Sequence, residues 1–96
     1  MPARQLSIRY EQDALSDLRA IRTHIRMHNP AAARKTIKKI RTTFEMFASQ
    51  PGSGRQGRVA GTREAVLTST YIAVYTVESN TLSVRRVLHS AQQWPP

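Results

Sequence analysis

The spacing of apolar positions changes along this chain, and each change marks an element. Residues 4–10 (R-Q-L-S-I-R-Y) alternate polar and apolar, which places Leu6, Ile8 and Tyr10 on one side of a half-buried opening strand. From Glu11 to about His28 the spacing becomes helical: Ala14, Leu18, Ile21 and Ile25 recur at 4-3-4, and Leu15 widens the stripe. Glu11, Gln12 and Asp13 give that helix an acidic first turn, which suits the positive end of its dipole. Asn29-Pro30 stops it and starts another, because proline disfavours helical geometry in the residue before it, while Asn caps and Pro fits the first helical position. The second helix runs to about Ser49 on a seam of Ala33, Ile37, Ile40, Phe44 and Phe47. Arg34, Lys35, Lys38, Lys39 and Arg41 lie off that seam. So short a junction predicts an antiparallel helical hairpin.

The last third reads as strands. Residues 63–69 form a short one. Residues 70–77 (T-Y-I-A-V-Y-T-V) carry apolar side chains on both parities, the mark of a central strand buried on both faces. Glu78-Ser79-Asn80 breaks the run with turn-forming side chains, and residues 81–89 return as a third strand. Simple alternation there groups Arg86 with Leu82, Val84 and Leu88. Between helices and strands lie residues 50–62, which hold Gly52, Gly54, Gly57 and Gly61 together with Arg55 and Arg58; this composition predicts a mobile loop. A tail, 90–96, carries Gln92, Gln93 and Trp94. The order β-α-α-β-β-β predicts one α+β domain over 1–96, a helical hairpin packed on a small, mostly antiparallel sheet of four strands.

Charge alters this picture more than composition does. Fifteen Lys and Arg against six Asp and Glu give a formal charge of +9, which implies a polyanionic or acidic partner. Cysteine is absent, so neither a disulfide framework nor a thiolate metal site is expected. No apolar run is long enough to span a bilayer, and Arg4 and Arg9 interrupt any signal-peptide pattern. His24 and His28 have the i,i+4 spacing of a helical metal pair but lack a third ligand beside them, so no metal or cofactor is expected. The segment G-S-G-R-Q-G (52–57) lacks the strand–loop–helix setting and the Lys-Ser/Thr pair of a phosphate-binding loop.

Six fragments in order make the chain resemble the RelE/ParE superfamily of type II toxin–antitoxin toxins, in its ParE-like branch: A-L-S-D-L (14–18), N-P-A-A-A (29–33), Q-P-G-S-G-R (50–55), G-T-R-E (61–64), Y-I-A-V-Y-T-V (71–77) and R-V-L-H (86–89). The resemblance implies a cytoplasmic bacterial growth inhibitor neutralised by a cognate antitoxin, touching operator DNA only through that antitoxin and no membrane. Its members either cleave mRNA, commonly on the ribosome, or poison DNA gyrase.

Metal-free RNA cleavage needs proton transfer and cations around the phosphorane. On the nuclease reading His89 is the proton-transfer residue, with Arg63 and Arg86 where relatives place phosphate-contacting arginines. Yet the resemblance also implies a lysine pair and a tyrosine in RelE-type nucleases, and here no lysine follows Lys39 and Trp94 stands in the tail. Gyrase inhibition without catalysis is therefore the expected activity, with the ribosome-dependent endoribonuclease as the alternative. Arg55, Arg58, Arg85 and Trp94 are the expected target- or phosphate-binding residues. Lys35, Lys38, Lys39 and Arg41 are the expected antitoxin-binding residues.

Overall fold

The computed structural model describes residues 5–96, so Arg4 of the predicted opening strand lies outside the described residues. The elements are β1 (Ser7–Tyr10), α1 (Gln12–His28), α2 (Pro30–Ser49), a single 3-10 turn (Pro51–Ser53), β2 (Arg55–Gln56), β3 (Arg63–Val66), β4 (Tyr71–Glu78) and β5 (Thr81–His89). The strands form one sheet in the order β1-β5-β4-β3-β2, antiparallel except for the parallel β1–β5 pair.

Both helices form where the apolar spacing put them. The Asn29 side chain accepts the Ala32 N–H at 3.1 Å, so the junction is an N-cap followed by proline at the first helical position. Ala14 and Ile21 of α1 and Ala33, Ile40, Phe44 and Phe47 of α2 are buried. Except for Ala33, they join one core with Ala65, Leu67, Tyr71, Ala73, Tyr75, Leu82, Val84 and Val87 from the sheet side. Tyr10 of β1 closes the edge of this core, its ring set edge-on to Phe44 at 5.6 Å.

Three expectations are corrected. The sheet has five strands, because Arg55 and Gln56 pair with Glu64 and Arg63 and so make a strand inside the predicted loop. The short strand predicted over 63–69 ends at Val66: beyond it the N–H groups of Leu67 and Thr68 both donate to the Tyr71 carbonyl, and the Thr68 hydroxyl accepts from the N–H groups of Thr70 and Tyr71. That short-range bonding forms a tight turn and removes 67–70 from the ladder. Finally, Val74 pairs with Arg86 but Tyr75 pairs with Val84, which leaves Arg85 as the extra residue of a β-bulge. The bulge reverses the alternation. Leu82, Val84 and Val87 therefore face the helices, while Leu88 joins Ile72 and Val74 in a second, smaller cluster roofed by Trp94.

Candidate functional site: an arginine–tryptophan cleft

β1 ends at Tyr10, four residues into its pairing with β5, so β5 from Arg85 onward has no strand on the side away from β4. α1 takes over that edge. The Glu11 N–H donates to the Val84 carbonyl, and six residues further on the Asp17 carboxylate accepts the Val87 N–H at 2.9 Å. The same carboxylate grips Arg86 with two bonds, Nε at 2.7 Å and Nη2 at 3.1 Å. This fork-to-fork contact is the strong form of an ion pair, and its hydrogen bond to Asp17 pushes the Arg86 guanidinium up so that it stays charged. The guanidinium carbon lies 5.6 Å from the centre of the Trp94 ring.

Trp94 arrives from the tail and covers Ile72, Val74 and Leu88. Its indole Nε1 is buried and has no hydrogen-bond partner among the described residues. Arg58 donates to the Trp94 carbonyl at 3.5 Å, which links the tail to the glycine-rich segment. Among these groups lies an open cleft of about 500 Å³, lined by Glu11, Asp13, Val59, Arg85, Arg86 and Trp94.

The glycine-rich segment is held in place. Glu64 is 2% exposed. It accepts from Arg55 Nε and Nη2 and from the Arg58 N–H, and Arg58 Nε lies 3.6 Å away. Burial pushes this carboxyl up, but the bonds from Arg58 and Arg55 and their charges outweigh it and leave the carboxyl below its ordinary value. Arg63 donates to the Gly54 carbonyl, and the Tyr75 hydroxyl donates to the Pro51 carbonyl at 2.6 Å. A Cβ on Gly54 would collide with the buried Tyr75 hydroxyl, so close packing requires glycine there. These bonds run against the prediction of an open, mobile loop.

The predicted catalytic trio is not assembled. Arg63 pairs with Tyr75 whereas His89 pairs with Tyr71, four residues further along β4 and one strand beyond it. At ~3.3 Å per residue that is roughly 13 Å along the sheet alone. Arg63 is committed to a backbone carbonyl and Arg86 to Asp17. The His89 ring lies edge-on to Tyr71, and its Nδ1 accepts the Ala91 N–H at 3.0 Å, a turn-stabilising bond. Of the predicted target-binding residues, Arg58, Arg85 and Trp94 do come together, with Arg55 behind them on Glu64. No group of His, Asp and Glu able to hold a metal occurs among the described residues.

The predicted antitoxin-binding set is divided by the turn of the helix. Lys38 and Arg41 line a groove with Arg34 of α2 and Arg22 of α1 over a floor of Ala33 and Ile37. Arg41 also borders an adjoining hollow floored by Ile8, Tyr10, Leu15 and Leu18. Lys39 points to the opposite flank, where it shares a cleft with His24 and His28. Lys35 is exposed.

Asp17 and Glu64 escaped the sequence reading. Asp17 had a signal: it lies three residues after Ala14 and four before Ile21, and so falls on the buried stripe of α1. Glu64 had only the apolar Val66 on its parity, which says little.

Residues 8–94 match the family model described as the ParE toxin of type II toxin–antitoxin systems, parDE. The chain is 38% identical over 89 residues to a Sinorhizobium fredii protein named toxin Y4kP, covering 92% of each. It is 33% identical over 79 residues to the toxin RelE2 of Caulobacter vibrioides, covering 82% of this chain and 89% of that one. Its fold matches a chain in the structure of the chromosomal ParDE system from P. aeruginosa with a TM-score of 0.80 at 22% identity, over 90% of this chain and 97% of the other. No helix among the described residues is long and apolar enough to cross a membrane. With two helices laid on a largely antiparallel sheet and the model matched from β1 to Trp94, the chain belongs to the ParE toxin family of type II toxin–antitoxin systems.

Proposed function

We propose that this toxin arrests growth by binding DNA gyrase through the arginine–tryptophan cleft, without catalysis. What carries the reading is the condition of the three residues a ribonuclease would need. Arg86 is held by a bidentate carboxylate, Arg63 serves a backbone carbonyl, and His89 stands about four residues from Arg63 along the sheet with one ring nitrogen occupied. Cations already satisfied inside the protein stabilise a developing phosphorane poorly, because catalysis depends on donors aimed where new charge appears. Recognition asks less. An aromatic ring backed by a fixed guanidinium, beside the exposed Arg85 and an open cleft, is the composition of a protein-binding hot spot.

Neutralisation belongs to the other side of the molecule. The groove between α1 and α2, apolar along its floor and rimmed by Arg22, Arg34, Lys38 and Arg41, fits an amphipathic acidic segment of a cognate antitoxin. The Pseudomonas relative was likewise solved as a ParDE system.

The test is a purified-protein assay of gyrase supercoiling run beside ribosome-bound mRNA cleavage. Inhibited supercoiling with intact mRNA is the expected result. Cleaved mRNA with unimpaired gyrase would replace this reading with the ribosome-dependent endoribonuclease.

A further inference from the structure

Of the five arginines between Arg55 and Arg86, four are spent inside the protein. Arg55 and Arg58 hold Glu64, Arg63 donates to the Gly54 carbonyl, and Arg86 is forked onto Asp17. Arg85 is different. Its one ion pair among the described residues is with Glu11 at 4.0 Å, which is too long for a hydrogen bond. The same Glu11 oxygen lies 3.9 Å from Arg9, so this carboxylate is divided between two guanidiniums and grips neither. The Arg85 side chain stays 53% exposed.

The bulge accounts for this. Arg85 is the residue inserted between the Val84–Tyr75 and Arg86–Val74 pairs, so it has no opposite number on β4. A bulge bends its strand and re-aims the side chain at that point. Here it leaves an uncommitted guanidinium on the lining of the arginine–tryptophan cleft.

The rest of the lining decides what that guanidinium can receive. Glu11 and Asp13 share the cleft with it, while the charge of Arg86 is already matched by Asp17. A strand of phosphates would therefore meet two carboxylates for one available cation. A single carboxylate fits better, because it takes the place that Glu11 fills loosely, and its two oxygens match the planar fork of an arginine. Val59 and the indole add apolar surface of the kind a protein segment can cover.

We infer that Arg85 is the specificity-determining contact of the cleft, and that it takes the carboxylate of an acidic side chain on the target in place of Glu11. This rests on the gyrase reading and names the chemistry that the toxin recognises there.

The test is binding of the full chain to purified gyrase free of DNA, at one fixed salt concentration. Circular dichroism and retained antitoxin binding, which uses the helical side, show that each variant is folded. Arg85→Gln should weaken gyrase binding at least about tenfold, the scale of losing one partner of a hydrogen-bonded charge pair. Arg85→Lys should recover part of that loss but not all, because lysine keeps the charge and lacks the fork. Glu11→Gln removes the internal competitor and should tighten binding by up to about fivefold, the worth of an exposed pair. Arg9→Gln removes the same single charge from outside the cleft and should change little. Equal losses in Arg9→Gln and Arg85→Gln would reduce the effect to net charge and overturn the proposal. So would wild-type affinity in Arg85→Gln, weaker binding in Glu11→Gln, or a loss seen only once DNA is added, which would give Arg85 to a phosphate. No gyrase binding by the wild-type chain would instead overturn the gyrase reading, and this inference with it.

Discussion

Glu11, Asp17 and Glu64 take every ion pair among the described residues, and the two best placed of them organise the site. Because Glu64 has its carboxyl held below the ordinary value, its contribution to stability is present above the unfolded glutamate pKa of about 4.3 and is lost as pH falls through the lower folded value. Glu64→Gln should therefore cost about 1.5–3 kcal/mol in urea unfolding at pH 7, the worth of hydrogen bonds to a charged group, and the gap to wild type should close in acid. A gap independent of pH would show that shape, not charge, matters there. Asp17→Ala should cost a similar amount at pH 7, because it strands the Val87 N–H beneath α1 and releases Arg86. These two residues also mark the limit of the sequence reading. A guanidinium's partner sits wherever the fold brings a carboxylate, and Asp17 and Arg86 are 69 positions apart.

At the scale of elements, period and punctuation revealed the helices and the central strand because burial repeats at fixed spacing: Tyr71 to Tyr75 are buried on both faces of β4, as their composition indicated. What stayed hidden depends on single residues. The bulge at Arg85 adds one residue and reverses every side chain after it, and nothing in T-L-S-V-R-R-V-L-H marks the insertion. The glycine-rich segment misled for a similar reason. Glycine signals freedom, but at Gly54 it marks a close approach to Tyr75, while of the four glycines only Gly61, at φ 82°, uses the left-handed region. Gly54→Ala should consequently destabilise by about 1–3 kcal/mol, as overpacking does, measured by denaturant titration. Amide exchange at Gly57 and Arg58 should be slow, since those N–H groups donate to the Thr62 carbonyl and the Glu64 carboxylate. Fast exchange at both would restore the mobile loop.

Taken as a whole, the molecule separates its charges. The sheet-side arginines Arg55, Arg58 and Arg86 are matched with carboxylates, whereas Arg22, Arg34, Lys38 and Arg41 on the helical hairpin enter no ion pair among the described residues. An acidic antitoxin segment should therefore be drawn to the helical side, with an association rate that falls steeply as salt rises, by tenfold or more across an order of magnitude in ionic strength. Stopped-flow association at several salt concentrations measures this directly. A flat rate would mean that apolar contact with Leu15, Leu18 and Ile37 governs capture as well as retention.

Inhibition by binding, with no proton transferred, is most directly tested at His89. His89→Gln keeps an acceptor for the Ala91 N–H but cannot titrate near neutral pH. In the supercoiling assay the purified variant should inhibit gyrase as the wild type does, and its expression should still arrest growth. General acid–base catalysis contributes about 10²–10⁴ in rate, so a nuclease would lose its toxicity with this one change. A folded, antitoxin-binding His89→Gln protein that no longer arrests growth would contradict the account.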